Sequence, residues 1–591
     1  MRTGLCLFPL LAAALPALAG DATVPGELTS PYPTVTNLAV EWKISGDDNL
    51  NGVVEVEYRQ SGETAWHRAM PLRRIPAGQS TGTHPIFKWD NKHSGSIFDL
   101  RPDTAYEIRL KLTDPDGGSA GRTLRARTRP VPRAARNART VRTTPQNLAR
   151  DEKNARPGDV LLLAPGDYGD FEATRDGEPG LPIVFRSPDG GAVFHGISLR
   201  GHKHLHVEGV KVDRHPSLDN LKDETGGIDL LGGEDLTVRR CNVRAFYGVI
   251  AKRIPGAKNC YIADNVIQGA MPWDPERMGD VPPNIGEGIE ITGPGNVVCY
   301  NRVTGFRDNI SLMEDTYVHE QVCDDIYNND IFQALDDGVE CDFAMGNCRV
   351  MRNRLTNIFM GLSSQPGLGG PTYFIRNALY NIIHSPFKPS RLSTGDVFLH
   401  NTAVKEGDAF CASGRLWTRA LSRNNLLVGG KGGGERFGRF TTGLGLAVNL
   451  AGANETDDLD YDGAGSHGMP FRGHLGNILF ESIDELRRLT TEKHAVAVDL
   501  DVFQANVPYP SPPRPVRERP DLRLRPGSVA VDAGIFLPNI NEGFAGKAPD
   551  LGAYELGQEL PLYGPRPEGL DEETAYQRKW RSKTPPRRRP L

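Results

Sequence analysis

The sequence lacks a second long apolar run. Past its N-terminus no stretch approaches the roughly 18 uninterrupted apolar residues of a membrane-spanning helix, so no transmembrane span is expected. It lacks strong net charge. Its 69 Lys and Arg against 74 Asp and Glu leave −5, so no basic field argues for nucleic acid. It also lacks any CxxC pair. The eight cysteines stand at 6, 241, 260, 299, 323, 341, 348 and 411, without the spacing of a zinc site. The seven after the leader read as buried thiols, and their odd number leaves at least one unpaired in an oxidising compartment.

What is plentiful is Gly (66) and Pro (45), which favours turn-rich β structure over helices. A chain of 591 residues is too long for one ordinary core and points to two domains or an extended repeat. Its start, "MRTGLCLFPLLAAALPALAG", has a basic residue, an apolar core and a small-x-small end, the pattern of a cleaved secretory signal over 1–20. A secreted protein, periplasmic or extracellular and monomeric, is expected.

Residues 21–131 alternate apolar and polar at period two, as in "LAVEWKI" and "YEIRLKLTD", with turns such as "DPDGG" between. This predicts a β-sandwich with Trp42 in its core. The stretch "LRPDTAYEIRLKLTD", with Leu100, Pro102, Thr104 and a corner Tyr106, resembles the late strands of fibronectin type III domains. "RPVPRAARNART" reads as a linker.

Beyond the linker, Asn recurs after short β-like runs at 265, 301, 329, 353, 377, 401 and 424. The spacings of 36, 28, 24, 24, 24 and 23 settle near 24, the signature of a solenoid with three short strands per coil. Asn tolerates left-handed backbone angles at a bend, and its amide can bond the Asn of the next coil. Over residues 140–560 the chain resembles the pectate-lyase-like right-handed parallel β-helix superfamily. "NARPGDVLLLAPGDY" is similar to its first coils, and "LRPGSVAVDAG" and "APDLGAYELG" to its closing segment. The expected fold class is therefore all-β, a sandwich followed by a right-handed parallel β-helix. Residues 430–525 lose the period and read as irregular capping. Residues 561–591 read as a basic, Pro-rich disordered tail.

The Asn register aligns the first strands of successive coils. Ile228, Val249, Ile289, Ile310, Val339, Leu362 and Phe387 then point inward, and Asp229, Ile250, Glu290, Ser311, Glu340, Ser363 and Lys388 outward. Asp342 and Gln365 fall in a second outward row. Asp336 and Asp337 stand at the strand's entry, one coil after Asp308. Crowded carboxylates cannot ionise independently, which leaves an acid beside a base. Glycoside hydrolysis uses such a pair. The order Asp308, Asp336-Asp337, then Lys388 and Arg391 also resembles the polygalacturonase-type hydrolases of this fold. The departures are Phe-Arg-Asp at 306–308 for Asn-Thr-Asp, and no Gly-His-Gly; His384 stands one coil too late to replace that histidine.

The excess of carboxylates over bases tilts the reading to a hydrolase acting on a polysaccharide. Asp308, Asp336, Asp337 and Glu340 are its expected catalytic residues. Glu290, Asp342, Gln365, Lys388, Arg391 and Trp273 would bind sugar, Trp273 by stacking from the long return 269–288. No cofactor or metal is favoured in that reading. The alternative is a polysaccharide lyase with a Lys388/Arg391 base and clamp, in which Glu340, Asp342 and Asp336 would hold Ca²⁺. The second alternative is a carbohydrate-binding or adhesive β-helix without catalysis.

Overall fold

The computed structural model describes residues 20–575 except 82, 84, 219–224, 253, 280–283, 313–320, 415, 435 and 438. The expected secretory signal over 1–20 (Gly20 apart) and residues 576–591 of the expected tail lie outside the described residues. Among the described residues, no helix is long and apolar enough to cross a membrane.

Seven antiparallel strands form the N-terminal sandwich. Val24–Thr29, Leu38–Ser45 and Lys92–Ile97 make one face. His67–Ile75, Val53–Gln60, Ala105–Thr113 and Ala120–Arg127 make the other. The end of His67–Ile75 crosses to pair with Lys92–Ile97, which closes the fold on one side. Alternation buries Leu38, Val40, Trp42, Val54, Ile108 and Leu110 between the faces. The Arg101 N–H donates to the Tyr106 hydroxyl at 2.8 Å, forming a tyrosine corner.

From Thr140–Thr143 onward the chain winds as a right-handed parallel β-helix. One wall is a 13-stranded parallel sheet ending at Asp458–Leu459, and the other is a 19-stranded sheet ending at Val496–Ala497. One apolar column fills the interior from Leu148 to Ala495. The seven inward residues read from the sequence are paired in that order along the stack and buried.

The Asn ladder forms, with two corrections. The left-handed residue is the one before each ladder Asn: Asp264, Tyr300, Asn328, Arg352, Arg376, His400 and Asn424. The last Asn of the ladder is therefore Asn425, not Asn424, at the same spacing of 24, and Asp462 Oδ1 accepts from it as the next rung. The ladder Asn works through its amide. Asn353 Oδ1 accepts from the Asn329 backbone and side chain at 3.0 and 2.9 Å, and its Nδ2 donates to Ile326 O and Asn377 Oδ1 at 2.9 and 3.0 Å. Asn353→Ala leaves several buried polar groups unsatisfied at once. It is expected to lower the unfolding free energy by about 3 kcal/mol or more, read by urea denaturation.

A further correction concerns the corner. The third strand of one coil and the first of the next are not separated by a return. They run on as single bent strands, Asp330–Cys341, Arg354–Ser364 and Ala378–Pro389. The bends carry positive φ at Gln333, Asn357 and Asn381. Just past the Gln333 bend the inner side is so tight that a Cβ on Gly338 would lie 2.5 Å from Leu355 Cδ2 and 3.0 Å from Gly361 O.

The far end is capped by the helix Ile483–Leu489, N-capped by Ser482, with Leu486 closing the core column. The segments expected to close the solenoid, 524–534 and 548–557, instead cover its flank. Leu524, Ala530, Leu551 and Ala553 pack on Ala378, Val404 and Leu426 from outside. The described part of the tail is packed too. Arg566 pairs with Asp264 and Glu572, and the Tyr261 and Tyr327 hydroxyls donate to Glu572. Buried partners some 300 residues earlier hold residues 561–575 in place, which their local composition does not reveal.

The sandwich sits on the 13-stranded sheet. Arg349 pairs with Asp325, both fully buried, while Thr34 and Asn37 of the sandwich donate to the same Asp325 carboxylate. Ser96 of the sandwich accepts from Arg349 at 3.1 Å. This leaves the outer face of the 19-stranded sheet clear of the sandwich. All seven described cysteines are free and buried.

Candidate active site

Three consecutive strands carry the same four-residue pattern across the corner: Glu287-Gly-Ile-Glu290, Asp308-Asn-Ile-Ser311 and Asp337-Gly-Val-Glu340. The third residue of each enters the core. The first and fourth face outward, in two columns one strand spacing apart from coil to coil. Glu287, Asp308 and Asp337 form the corner column. Glu290, Ser311, Glu340, Ser363 and Lys388 form the second, as the outward row predicts.

The corner column is the tightest. Asp337 N–H donates to Asp308 Oδ1 at 2.6 Å. Asp308, Asp336 and Asp337 each turn one carboxylate oxygen to within 4.8 Å of the others. They are 1, 5 and 0 % exposed, so water does not screen them. Asp308 Oδ2, Asp336 Oδ1 and Asp337 Oδ1 accept no hydrogen bond from any described residue. Two cations border the group. Arg307 reaches Asp336 at 3.2 Å and Asp308 at 3.5 Å. Lys388 Nζ, two coils on, contacts Asp337 Oδ2 and lies 3.4 Å from Glu340 Oε1.

Burial dominates the titration of these groups. It pushes Asp308 up to about 8, against Arg307 and with Glu340 and Asp336 adding to the rise. Burial likewise raises Asp337 well above the usual carboxylate range, against Lys388, and raises Asp336. Glu287 is driven up by burial and then by Asp308 and Glu290. Burial alone would depress Lys388, but Asp337, Glu340, Asp336 and Asp342 hold it well above its ordinary value.

The raised carboxyls give a pH dependence of unusual sign. Asp308 has a folded value of about 8 and an unfolded one near about 4, so between those limits the folded state binds more protons. Stability of the cation-free protein is expected to fall as pH rises through that interval. Thermal melting in chelator at its two ends checks this. Asp308→Asn should flatten the slope, and a rising Tm in the unsubstituted chain would contradict it.

The sequence-derived candidates divide. Asp308, Asp336, Asp337, Glu340 and Lys388 come together. Glu290 is buried one coil before Ser311 in the second column. Asp342 is buried at the strand's end, and its Oδ1 accepts the Ser363 hydroxyl at 2.9 Å. Of the three residues named for Ca²⁺, Asp336 belongs to the close group with Asp308 and Asp337, while Glu340 is turned to Lys388 and Asp342 to Ser363.

Gln365 is half-buried in the turn after Arg354–Ser364. Arg391 stands on an exposed turn beyond Ala378–Pro389, out of the row. Trp273 is half-buried against Met271, Met278 and Phe359, and its indole N–H donates to Arg514 O at 3.0 Å. It pins the wall formed by the long return rather than standing free as a stacking platform. Gly279, later in that return, donates to Leu335 O at 2.8 Å, one residue before Asp336.

Sequence reasoning did not single out Glu287 or Arg307. The Ser311 hydroxyl donates to Glu287 Oε2 at 2.8 Å. The signal was present, since "EGIE" at 287–290 repeats "DGVE" at 337–340.

No protein-family model matches this chain, and no curated protein matches it significantly. Among solved structures, pectate lyase Pel9A is similar at a TM-score of 0.37 and 15% identity, over 71% of this chain and 97% of that one. The family 28 exopolygalacturonase of Yersinia enterocolitica is similar at 0.36 and 11%, over 77% and 98%. The fold rests on the strand pairing itself and not on these likenesses.

Proposed function

We propose that this chain is a secreted carbohydrate-active enzyme that cleaves an acidic polysaccharide by β-elimination. Lys388 is the base, and Asp308, Asp336 and Asp337 hold a divalent cation. One observation carries the reading. Three buried carboxylates within reach of one another keep an oxygen each without a hydrogen-bond donor, and a lysine from the same sheet face touches the group.

An all-oxygen, all-anionic donor set suits a hard cation such as Ca²⁺. When bound, that ion supplies positive charge that draws in a uronate carboxylate and acidifies the proton on the carbon beside it. Lys388 would take that proton as the free amine, after its ammonium has lost one to solvent. Asp337 and Asp336, two of the four carboxylates that hold Lys388 in its ammonium form, are ones a bound cation would compensate, which eases that loss. Arg307 fixes the orientation of Asp308 and Asp336. Ser363 fixes that of Asp342, and the inward Ile289, Ile310 and Val339 hold the strands that present the columns.

The excess of carboxylates that favours a hydrolase in the sequence is used differently by this geometry. Asp337 and Glu340 are tied to Lys388 and Asp336 to Arg307, so none of the three is left as a separate base across a substrate. Hydrolysis remains the second reading on one ground, that Asp308 at about 8 is a carboxylic acid at neutral pH. A purely adhesive solenoid gives no account of buried like charges that cost stability.

The purified chain on a panel of neutral and uronic polysaccharides tests the reading. Elimination gives an unsaturated, ultraviolet-absorbing product from a uronic polymer, lost in chelator and restored by Ca²⁺. New reducing ends without that absorbance would establish hydrolysis instead.

A further inference from the structure

A second concavity shares no lining residue with the carboxylate columns. It is a cavity of about 850 Å³ where the sandwich, the 13-stranded sheet and the C-terminal segment meet. Its size and its place at a domain junction are those of ligand pockets. Tyr58 and Phe98 wall it from the sandwich, Met351 and Ile375 from the β-helix, and Phe544 and Tyr554 from the C-terminal segment. The walls are fixed. Asn539 donates to the Tyr58 hydroxyl at 3.1 Å and to Phe98 O at 3.0 Å, and accepts from Phe98 N at 2.7 Å. Tyr58 is flanked by Tyr106 and His67, with ring centroids 6.4 and 5.6 Å away.

Two arginines line this cavity, and they differ. Arg352 is satisfied by Asp99 through two hydrogen bonds of 3.1 and 2.8 Å. Arg376 has no carboxylate within ion-pair distance among the described residues, and its side chain makes one bond, 3.3 Å to Ala553 O. None of its nitrogens is buried without a partner, so the remaining N–H groups open to the cavity. Five carboxylates also line the cavity. Asp99 is spent on Arg352, and Glu555 accepts from the backbone N–H groups of Ala545 and Asp550. Glu542 accepts from the Asn539 N–H, and Glu63 and Glu559 are exposed to solvent. Burial also depresses the Arg376 guanidinium, as expected of a cation short of an anion. A planar fork of donors beside aromatic faces suits a sugar that carries a carboxylate, with the fork on the acid and the ring on an aromatic.

We infer that this junction cavity is an accessory, non-catalytic site for a uronate residue, held by Arg376 and the aromatic walls. The choice of a uronate rests on the proposed function; the site itself rests on Arg376 and the cavity. It would hold one segment of an acidic glycan while another segment occupies the groove.

Titration calorimetry of the full chain in chelator with a uronate trisaccharide tests this, with the carboxyl-reduced trisaccharide as control. The expected result is a binding event weakened at least about tenfold by Arg376→Gln and absent for the reduced sugar. Phe544→Ala, on the outer wall, should weaken the same event and guards against misfolding of the first variant. Both variants should cleave polymer like the parent. Binding unchanged by either substitution would overturn the site, even if cleavage of uronic polymers is found. Arg376-dependent binding without any cleavage would keep the site and remove the proposed function.

Discussion

Lys388→Arg is expected to reduce kcat/KM on a uronic polymer by at least about 10²-fold while the protein stays folded. Arginine keeps the positive charge that Asp337 and Glu340 require and can bond both, so the buried pairing survives. It cannot act as a base, because its guanidinium does not release a proton in this pH range. The substitution therefore separates two roles that lysine combines. If Lys388 only balances charge, the arginine variant retains most activity, and the elimination mechanism fails with it. Lys388→Ala is the less informative change. It strands two buried carboxylates, a loss on the order of 3–5 kcal/mol that would confound the kinetics. Steady-state kinetics beside a melting curve read both variants.

Asp337→Asn is expected to cost as much activity for a different reason. Asp337 is fully buried, touches Lys388 and shares the close group with Asp308 and Asp336. An amide is isosteric but neutral, so it neither holds Lys388 nor completes an anionic site. The diagnostic readout is stability against Ca²⁺. A specific site stabilises the fold by about 2.7 kcal/mol at a hundredfold excess over Kd. The unsubstituted chain should therefore melt higher with Ca²⁺, and Asp337→Asn should not respond. Asp308→Asn should behave likewise. Glu287→Gln, in the same column but outside the close group, should keep the response.

Much of this arrangement was legible because two periodicities reinforce each other. The Asn recurrence sets the coil length, and the alternation along each strand sets the face. Together they place Ile289, Ile310 and Val339 inside and Glu290, Ser311 and Glu340 outside without any structure. The close carboxylate trio was not legible, because it depends on the corner. There the chain bends at Gln333, a residue type that does not announce a left-handed angle, and the bend swings Asp336 and Asp337 towards Asp308. Glu287 escaped because it lies at the end of the long return 269–288, which breaks the spacing on which the register relies. Trp273 could not be placed from sequence because its partner Arg514 comes from a segment with no period at all. The packed residues 561–575 escaped for the same kind of reason, their contacts lying on coils near 264 and 327.

The most direct test of the carboxylate–lysine site is the mass of the oligosaccharides released from a uronic polymer in the presence of Ca²⁺. Elimination adds no water, so each fragment with a new non-reducing end should be one water lighter than the corresponding hydrolysis product. The expected spectrum contains that lighter series, and Lys388→Arg abolishes it. Fragments at the full hydrolytic mass, persisting in chelator and in the Lys388→Arg variant, would contradict the assignment.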